Sequence, residues 1–215
     1  MNQKGFTLTE ISISLVVIGL IVAGVLKGQS MIRNARVHSL ITLQSETQTA
    51  FNAFVDRYRA LPGDYAAAST ALRCPSTCIN GNGNGRIDIV PRENILVWTH
   101  LSAAGFITGS FTYNGSTPAS TENTPANPYG GLLDVAYTDS YANSNGVKRH
   151  NINLGSMIPS DVLSEVDRKI DDGNPLSGKF RFSDWSHDGN PMDACIVSTM
   201  WNSESQPNCG AVWIM

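Results

Sequence analysis

The stretch that decides the fold is KGFTLTE at residues 4–10, which leads directly into ISISLVVIGLIVAGVL at residues 11–26. Residues 11–26 carry no charge, and Ser12 and Ser14 are their only polar side chains. At about 1.5 Å per residue, a helix over residues 6–26 is long enough to cross the roughly 30 Å hydrocarbon core of a bilayer. The sequence therefore predicts a membrane-spanning helix close to the N-terminus.

Two ordinary explanations compete for this segment. A secretory signal peptide ends its apolar stretch in small residues at a cleavage site, whereas Lys27, Arg33 and Arg36 follow here in a segment that keeps helical spacing. A simple single-span anchor fits the hydropathy equally well. Basic residues do not fix the orientation, because Lys4 lies on one side of the segment and three cations lie on the other. Hydropathy alone leaves the choice open.

Glu10 is the one acidic residue in the predicted membrane segment. An ionised carboxylate in lipid is costly unless a cation meets it, so an acid at this depth is a functional hypothesis that needs a partner. The alternative is that Glu10 lies near the headgroups as an interfacial residue.

The same N-terminal stretch resembles the processing signal of the type IV prepilin family, which includes type IV pilins and the pseudopilins of type II secretion. In that family a membrane peptidase cuts after a glycine and methylates the new N-terminal amine. The resemblance implies cleavage between Gly5 and Phe6 and N-methylation of Phe6. Thr9 departs from the family pattern, which usually has an aliphatic residue there. The matching residues are Gly5, Phe6, Thr7, Leu8 and Glu10.

The resemblance also implies a partner for Glu10. Cleavage creates a cation at Phe6, and in the family the acidic side chain is thought to meet the N-terminal amine of a neighbouring subunit. Two opposite charges about 4 Å apart attract by roughly 4 kcal/mol at an effective dielectric near 20. Repeated along a filament, this pairing of Glu10 with Phe6 would select the axial register of the subunits.

The helix is expected to continue beyond the membrane. Residues 30–60 contain neither Pro nor Gly, and their apolar side chains recur in steps of three and four, which predicts one buried stripe. Pro62 and Gly63 then end the pattern. Gln44 is placed on the other, polar faces. The predicted stripe comprises Leu40, Leu43, Thr47, Ala50, Phe51, Phe54, Tyr58 and Leu61.

The predicted fold class is α+β and type IV pilin-like, with the long helix packed on an antiparallel sheet. Residues 109–128 and 139–153 are rich in Asn, Ser, Thr, Gly and Pro and are predicted to be long loops. A short helix over residues 160–170 is predicted to have Ser160 as its cap, and strands are predicted at residues 178–182, 195–197 and 211–214. The predicted parts are a leader at 1–5, a membrane and assembly half-helix at 6–29, an amphipathic half-helix at 30–61 and an exported head at 62–215.

All four cysteines lie in the head, which suits an oxidising compartment. Three pairings are possible, and we expect the two local ones, Cys74 with Cys78 and Cys195 with Cys209. The second would close a loop of about 15 residues, worth roughly 3 kcal/mol by chain entropy. By resemblance, a disulfide-bounded C-terminal loop is also common in pilins. A zinc site at Cys74 and Cys78 is the sharper alternative, but no His lies close in sequence.

Residues 80–88, NGNGNGRID, have the alternate oxygen ligands and glycine bends of a calcium loop. Three Asn replace the usual acids, and Pro91 stands at the twelfth position, where a bidentate acid belongs. A Gly/Asn turn is therefore preferred over a metal site, and no cofactor is expected. The candidate calcium ligands are Asn80, Asn82, Asn84, Asp88 and Glu93.

Enzymatic and nucleic-acid functions find little support in the sequence. The formal net charge is -3 with 15% charged residues, so no basic tract indicates nucleic-acid binding in bulk. Acid, Ser and His cluster only at residues 184–188, and a catalytic triad rarely comes from sequence neighbours. No phosphate-binding loop is present, so energy for assembly would have to come from a separate ATPase motor.

The predicted function is that of a structural filament subunit. The implied partners are related pilin subunits, the prepilin peptidase and an inner-membrane assembly platform. The chain would first lie in the inner membrane as a single-pass protein with its head in the periplasm, and then in a filament. One alternative is a pseudopilin or a minor pilin that acts at the tip or in priming. Another is a membrane-anchored binding domain that never polymerises, in which Gly5 would stay uncut.

Overall fold

A computed structural model describes residues 5, 7–74, 78–183 and 191–215. Phe6 and the Asp-Trp-Ser-His-Asp cluster at residues 184–188 lie outside the described residues. The chain divides into two compact units, Met1–Arg36 and Val37–Met215. The boundaries that the sequence predicts after residues 5, 29 and 61 stay predictions.

The described elements are one long helix, several short helices and six strands. The helices are α1 (Leu8–Tyr58), α2 (Ala68–Ala71), α3 (Glu93–Ala103), α4 (Ser160–Ile170) and α5 (Met192–Cys195). The strands are β1 (Asp134–Thr138), β2 (Arg149–Asn153), β3 (Phe180–Phe182), β4 (Ile196–Val197), β5 (Met200–Trp201) and β6 (Ala211–Ile214). The long apolar N-terminal helix and the antiparallel sheet confirm the α+β class.

The C-terminal half of α1 buries one stripe, as predicted from its spacing. Leu40, Phe51 and Phe54 are buried in the main core, and Leu43 and Tyr58 pack against its edge. Gln44 corrects the prediction, because it is only 5% exposed although it was placed on a polar face. Its amide donates to the Oε1 atom of Gln48 at 3.0 Å, which offsets part of the cost of burial.

The main sheet has the strand order β1-β2-β6-β3, and all its pairs are antiparallel. The last strand, β6, therefore lies between β2 and β3, with Asn151 opposite Ile214 and Phe180 opposite Trp213. Strands β4 and β5 form a separate small hairpin.

Two predictions about the head are wrong in detail, and one helix was not predicted. Residues 139–153 were expected to be a loop, but Arg149–Asn153 form β2, whose buried Asn side chains make hydrogen bonds. Helix α3 was not predicted at all. Ser160 is the first residue of α4 and not its cap, which is Pro159. The Ser160 hydroxyl instead donates to the carbonyl of Asn202 at 2.8 Å and ties α4 to the C-terminal loop.

Candidate functional site

The start of α1 carries a reciprocal hydrogen-bond pattern between Thr7 and Glu10. The Thr7 N–H and hydroxyl both donate to Oε2 of Glu10 at 2.8 Å, and the Glu10 N–H donates to the Thr7 hydroxyl at 3.3 Å. This is a capping box, which satisfies backbone donors that the first helical turn leaves without partners. Among the described residues, all hydrogen bonds of the Glu10 carboxylate go to Oε2.

Sequence analysis singled out Glu10 and missed the role of Thr7. The signal was present, since a Thr followed three residues later by a Glu and then by an apolar run is the pattern of a capping box. The structure thus gives Glu10 a structural task within its own chain besides the intersubunit task that the family resemblance implies.

The polar side chains of the apolar segment are satisfied within the helix. The Ser12 hydroxyl donates to the carbonyl of Thr9 at 3.0 Å, and the Ser14 hydroxyl donates to the carbonyl of Glu10 at 2.8 Å. Such bonds within one helix remove the need for a partner in lipid, where an unsatisfied polar group is costly. The two serines therefore leave the segment compatible with a membrane.

The apolar face of this segment is uncovered. Helix α1 contains a window with a mean hydropathy of 2.3, of which none is buried, and it is the one helix among the described residues that is long and apolar enough to cross a bilayer. Leu15, Ile18 and Leu20 are each more than half exposed. Exposed apolar surface on this scale marks a membrane or assembly contact.

The comparisons with known proteins bear on this same segment. Residues 1–26 match the family described as the prokaryotic N-terminal methylation motif. No curated protein and no solved structure matches the chain.

This motif on a long apolar helix makes residues 1–26 similar to the N-terminal segment of type IV prepilins. More particularly, the motif indicates the type IV pilins and pseudopilins, which are a class of structural subunits. Methylation and membrane anchoring through the N-terminal helix are properties of this class.

The head contains two disulfides, Cys74–Cys78 and Cys195–Cys209. These are the two local pairs expected from the sequence. Because all four sulfurs are oxidised in the structure, Cys74 and Cys78 offer no thiolate ligands there. The second bridge encloses the β4–β5 hairpin.

The carboxylate of Asp64 holds the Gly/Asn-rich loop at residues 80–88 through two hydrogen bonds. Its Oδ1 atom accepts the N–H of Asn84 at 3.0 Å and its Oδ2 atom accepts the N–H of Gly85 at 2.8 Å. A Cβ on Gly81 would lie 2.2 Å from the carbonyl carbon of Asp64, so only glycine permits this close approach. The turn that ends α1 and the loop at residues 80–88 thus form one packed unit, which sequence analysis did not foresee.

Glu93 holds the other side of the loop. Its two carboxylate oxygens accept the N–H groups of Asn82 at 2.8 Å and Asp88 at 3.0 Å. Burial raises the pKa of Glu93, while these two hydrogen bonds act in the opposite direction. The loop is therefore built around two buried acids, Asp64 and Glu93, which are 4% and 1% exposed.

The structure brings four of the five predicted calcium ligands together. Oδ2 of Asp88 accepts the amides of Asn82 at 3.3 Å and Asn84 at 2.7 Å, and Glu93 joins them through the backbone. Asn80 does not join, because its Oδ1 accepts the N–H of Ser69. These oxygens have the chemistry that calcium prefers, but an ion at Glu93 would compete with the hydrogen bonds that shape the loop.

A second acidic group lies at the C-terminal end of α4. Carboxylate oxygens of Asp167, Asp171 and Asp172 lie within 4.8 Å of one another, a spacing that a metal ion could bridge. All three already accept hydrogen bonds: Asp167 from the indole N–H of Trp201 at 2.7 Å, Asp171 from the N–H of Phe180 at 2.7 Å, and Asp172 from the N–H of Asn174 at 2.9 Å. Burial raises the pKa of Asp167 to about 6. The cluster ties α4 to β3 and β5.

His100 is a buried histidine with a structural role. Its Nδ1 atom accepts the N–H of Gly63 at 2.9 Å, and its Nε2 atom donates to the carbonyl of Ile79 at 2.9 Å. Burial lowers the pKa of His100 to about 4, so the neutral ring that these two bonds require is present at neutral pH. Its ring stacks on Phe54 with centroids 6.2 Å apart. His100 therefore connects α1, the turn after it and α3.

Proposed function

We propose that this chain is a structural subunit of a type IV pilus-like filament. It is processed between Gly5 and Phe6 by the prepilin peptidase, N-methylated at Phe6 and assembled through α1 with identical or related subunits. The observation that carries the proposal is the uncovered apolar surface of α1 next to the methylation motif. Before assembly the chain lies in the inner membrane with its head in the periplasm, and a separate motor supplies the energy for extraction.

Glu10 supports a specific assembly step. Its Oε2 atom accepts the hydrogen bonds that cap the start of α1. Its Oε1 atom is left for the amine that cleavage creates at Phe6 of a neighbouring subunit. An unpaired charge in lipid costs several kcal/mol. Pairing the carboxylate with the amine offsets that cost for both groups. Subunits whose charges do not meet would therefore be disfavoured.

Two substitutions separate the cap from the charge. Glu10→Gln keeps a side-chain acceptor for the Thr7 N–H, because Gln also serves in capping boxes, but it removes the charge. Thr7→Val removes the capping hydroxyl and keeps the charge. We expect Glu10→Gln to abolish filaments in sheared surface material and Thr7→Val to leave them, with both proteins cleaved at Gly5.

The measurements are electron microscopy of the sheared material and mass spectrometry of the mature N-terminus. An uncut N-terminus in the native protein would overturn the proposal and favour the unpolymerised binding domain. Filaments of undiminished yield from Glu10→Gln would overturn the charge-pair step alone.

A minor pilin or pseudopilin is the second candidate. Residues 109–128 of the head form no helix or strand in the structure, which suits a subunit whose surface serves a particular contact better than repeated packing. Quantitative mass spectrometry of purified filaments distinguishes the two candidates. A main subunit would dominate the material, whereas a minor subunit would be rare beside another pilin.

A further inference from the structure

A basic cavity lies at the end of the main sheet where β2 begins. Arg149 is the first residue of β2, Arg181 lies within β3, and Lys179 immediately precedes β3. All three line one cavity of about 310 Å³, together with Tyr141 and Asn143. No local pattern indicates this cluster, since its cations come from segments some 30 residues apart.

The sheet topology brings these cations together. β6 lies between β2 and β3 and ends at Ile214, which is paired with Asn151 on β2. The Ile214 N–H donates to the carbonyl of Lys179 at 2.8 Å. The start of β2, the end of β6 and the start of β3 are therefore at the same end of the sheet, so Arg149 and Lys179 flank one concave surface.

Arg181 is held in place before any ligand arrives. Its Nε donates to the carbonyl of Gly178 at 2.9 Å, and its Nη1 donates to the carbonyl of Ala142 at 3.3 Å. The guanidinium also lies 5.7 Å from the centre of the Tyr141 ring. A cation fixed in this way loses little conformational entropy on binding, which is the advantage of a preorganised site.

The rim of the cavity is fixed by hydrogen bonds as well. The Tyr141 hydroxyl donates to the carbonyl of Val147 at 2.6 Å, and the Asn143 amide donates to the carbonyl of Leu176 at 3.1 Å. The first bond closes the loop before β2 on itself, and the second joins that loop to the segment before β3. The cavity is thus part of the folded head and not a gap between unconnected side chains.

The charge around the cavity is one-sided. Among the described residues that line it, none is Asp or Glu, although the whole chain has a net charge of -3. The carboxylate of Asp172 acts on Arg181 from outside the lining, and the hydroxyl of Ser177 already donates to it. The three cations face no Asp or Glu side chain within the lining, and Asp171, just outside it, accepts the N–H of Lys179.

We propose that this cavity binds a compact oxyanion, a phosphate or carboxylate group that is free or carried by a larger ligand. Arg presents a planar fork of donors that matches either group, and Lys adds a point charge. The cavity has room for one such group with part of its carrier. The proposal does not depend on filament assembly, because every residue that carries it belongs to the unit Val37–Met215.

The test is calorimetric titration of the full chain in non-ionic detergent at low salt, with inorganic phosphate and glucuronate as probes. We expect saturable binding of at least one probe, weakened on the order of fivefold to tenfold by Arg149→Gln or Lys179→Gln. The matched control is Lys148→Gln, an exposed cation next to Arg149 that does not line the cavity, which should change the affinity less than twofold. Tighter binding of phosphate would indicate phosphoryl ligands, and tighter binding of glucuronate would indicate acidic sugars.

Two results would overturn the proposal. One is the absence of saturable binding of either probe to the wild-type chain. The other is an equal loss of affinity in Lys148→Gln and Lys179→Gln, which would mean diffuse attraction to the surface and no defined site. The urea midpoint of each variant, followed by Trp fluorescence, verifies that a loss of binding is not a loss of folding.

Discussion

The two units of the chain use apolar residues in opposite ways. In Met1–Arg36 the large aliphatic side chains of α1 are exposed, and the polar groups are satisfied within the helix. In Val37–Met215 the aliphatic side chains are buried, and buried polar groups such as Asp64 and His100 connect distant segments. The aliphatic surface of the first unit is therefore not covered by the chain itself, whereas the second unit contains its own core.

The largest expected effect on the free energy of unfolding comes from Leu→Ala, made at one buried and one exposed position of α1. Leu40 is 0% exposed and Leu20 is 70% exposed. We expect Leu40→Ala to lower the free energy of unfolding of the head by about 2–5 kcal/mol, because it leaves a cavity. Leu20→Ala should change it by less than about 0.5 kcal/mol.

Urea unfolding of the full chain in detergent, followed by Trp fluorescence, measures this difference. All four Trp residues lie beyond residue 37, so the signal reports on the head alone. Equal effects of the two substitutions would show that the units are not separate in the way their burial indicates.

A pH-dependent loss of stability should come next in size. The folded-state pKa of His100 is about 4, below the ordinary value of 6.5, so the unfolded chain binds more protons between these values. The contribution of His100 is fully present above about pH 6.5 and is lost as the pH falls towards 4, by roughly 3 kcal/mol. Asp167 acts in the opposite direction, because its folded-state pKa is raised to about 6.

Comparing the stability of the wild type with that of His100→Gln isolates the contribution of the histidine. The gap in unfolding free energy between the wild type and His100→Gln should shrink by roughly 3 kcal/mol from pH 7 to pH 4, since Asp167 contributes equally to both. His38→Gln, at an exposed position on α1, is the control and should show a constant gap. A constant gap for His100→Gln as well would refute the role given to its neutral ring.

The contrast between the units also explains which features the sequence predicted. The apolar run and the stripe on α1 were predictable because each follows a regular spacing with one type of environment on each face. Helix α3 was missed because its residues from Ile95 to Leu101 are buried on every face of the helix. No exposed polar face therefore reveals the helical period. The sequence predicts a loop where strand β2, RHNIN, forms, because the buried positions of the strand include Asn151 and Asn153, whose partners lie elsewhere in the fold.

The candidate sites follow the same rule. The two disulfides join residues that are close in sequence, so spacing was enough to predict them, and the Thr7–Glu10 box, although missed, also follows a local pattern. The bonds of Asp64 to Asn84 and of His100 to Gly63 span 20 and 37 residues. Such contacts depend on the fold of the whole head, and no local sequence pattern predicts them.

The two disulfides should contribute unequally to the head. Cys195–Cys209 closes a loop of sequence separation 14, and Cys74–Cys78 closes one of separation 4. Chain entropy then predicts losses of about 3 and about 2 kcal/mol for the respective double Cys→Ser variants. Urea midpoints at pH 7 measure both, and a larger loss from the Cys74–Cys78 pair would contradict the entropic ranking.

The smallest expected effect concerns calcium. The oxygens of Asp64 and Glu93 that face the loop at residues 80–88 already accept its backbone N–H groups, so calcium gains little unless these bonds break. We expect millimolar calcium to shift the melting temperature of the full chain by less than about 1 °C, since weak binding adds little by mass action. Magnesium at the same concentration controls for ionic strength. A calcium-specific rise of several degrees that Asp88→Asn removes would show instead that the loop rearranges around the ion and that the turn interpretation of residues 80–88 is wrong.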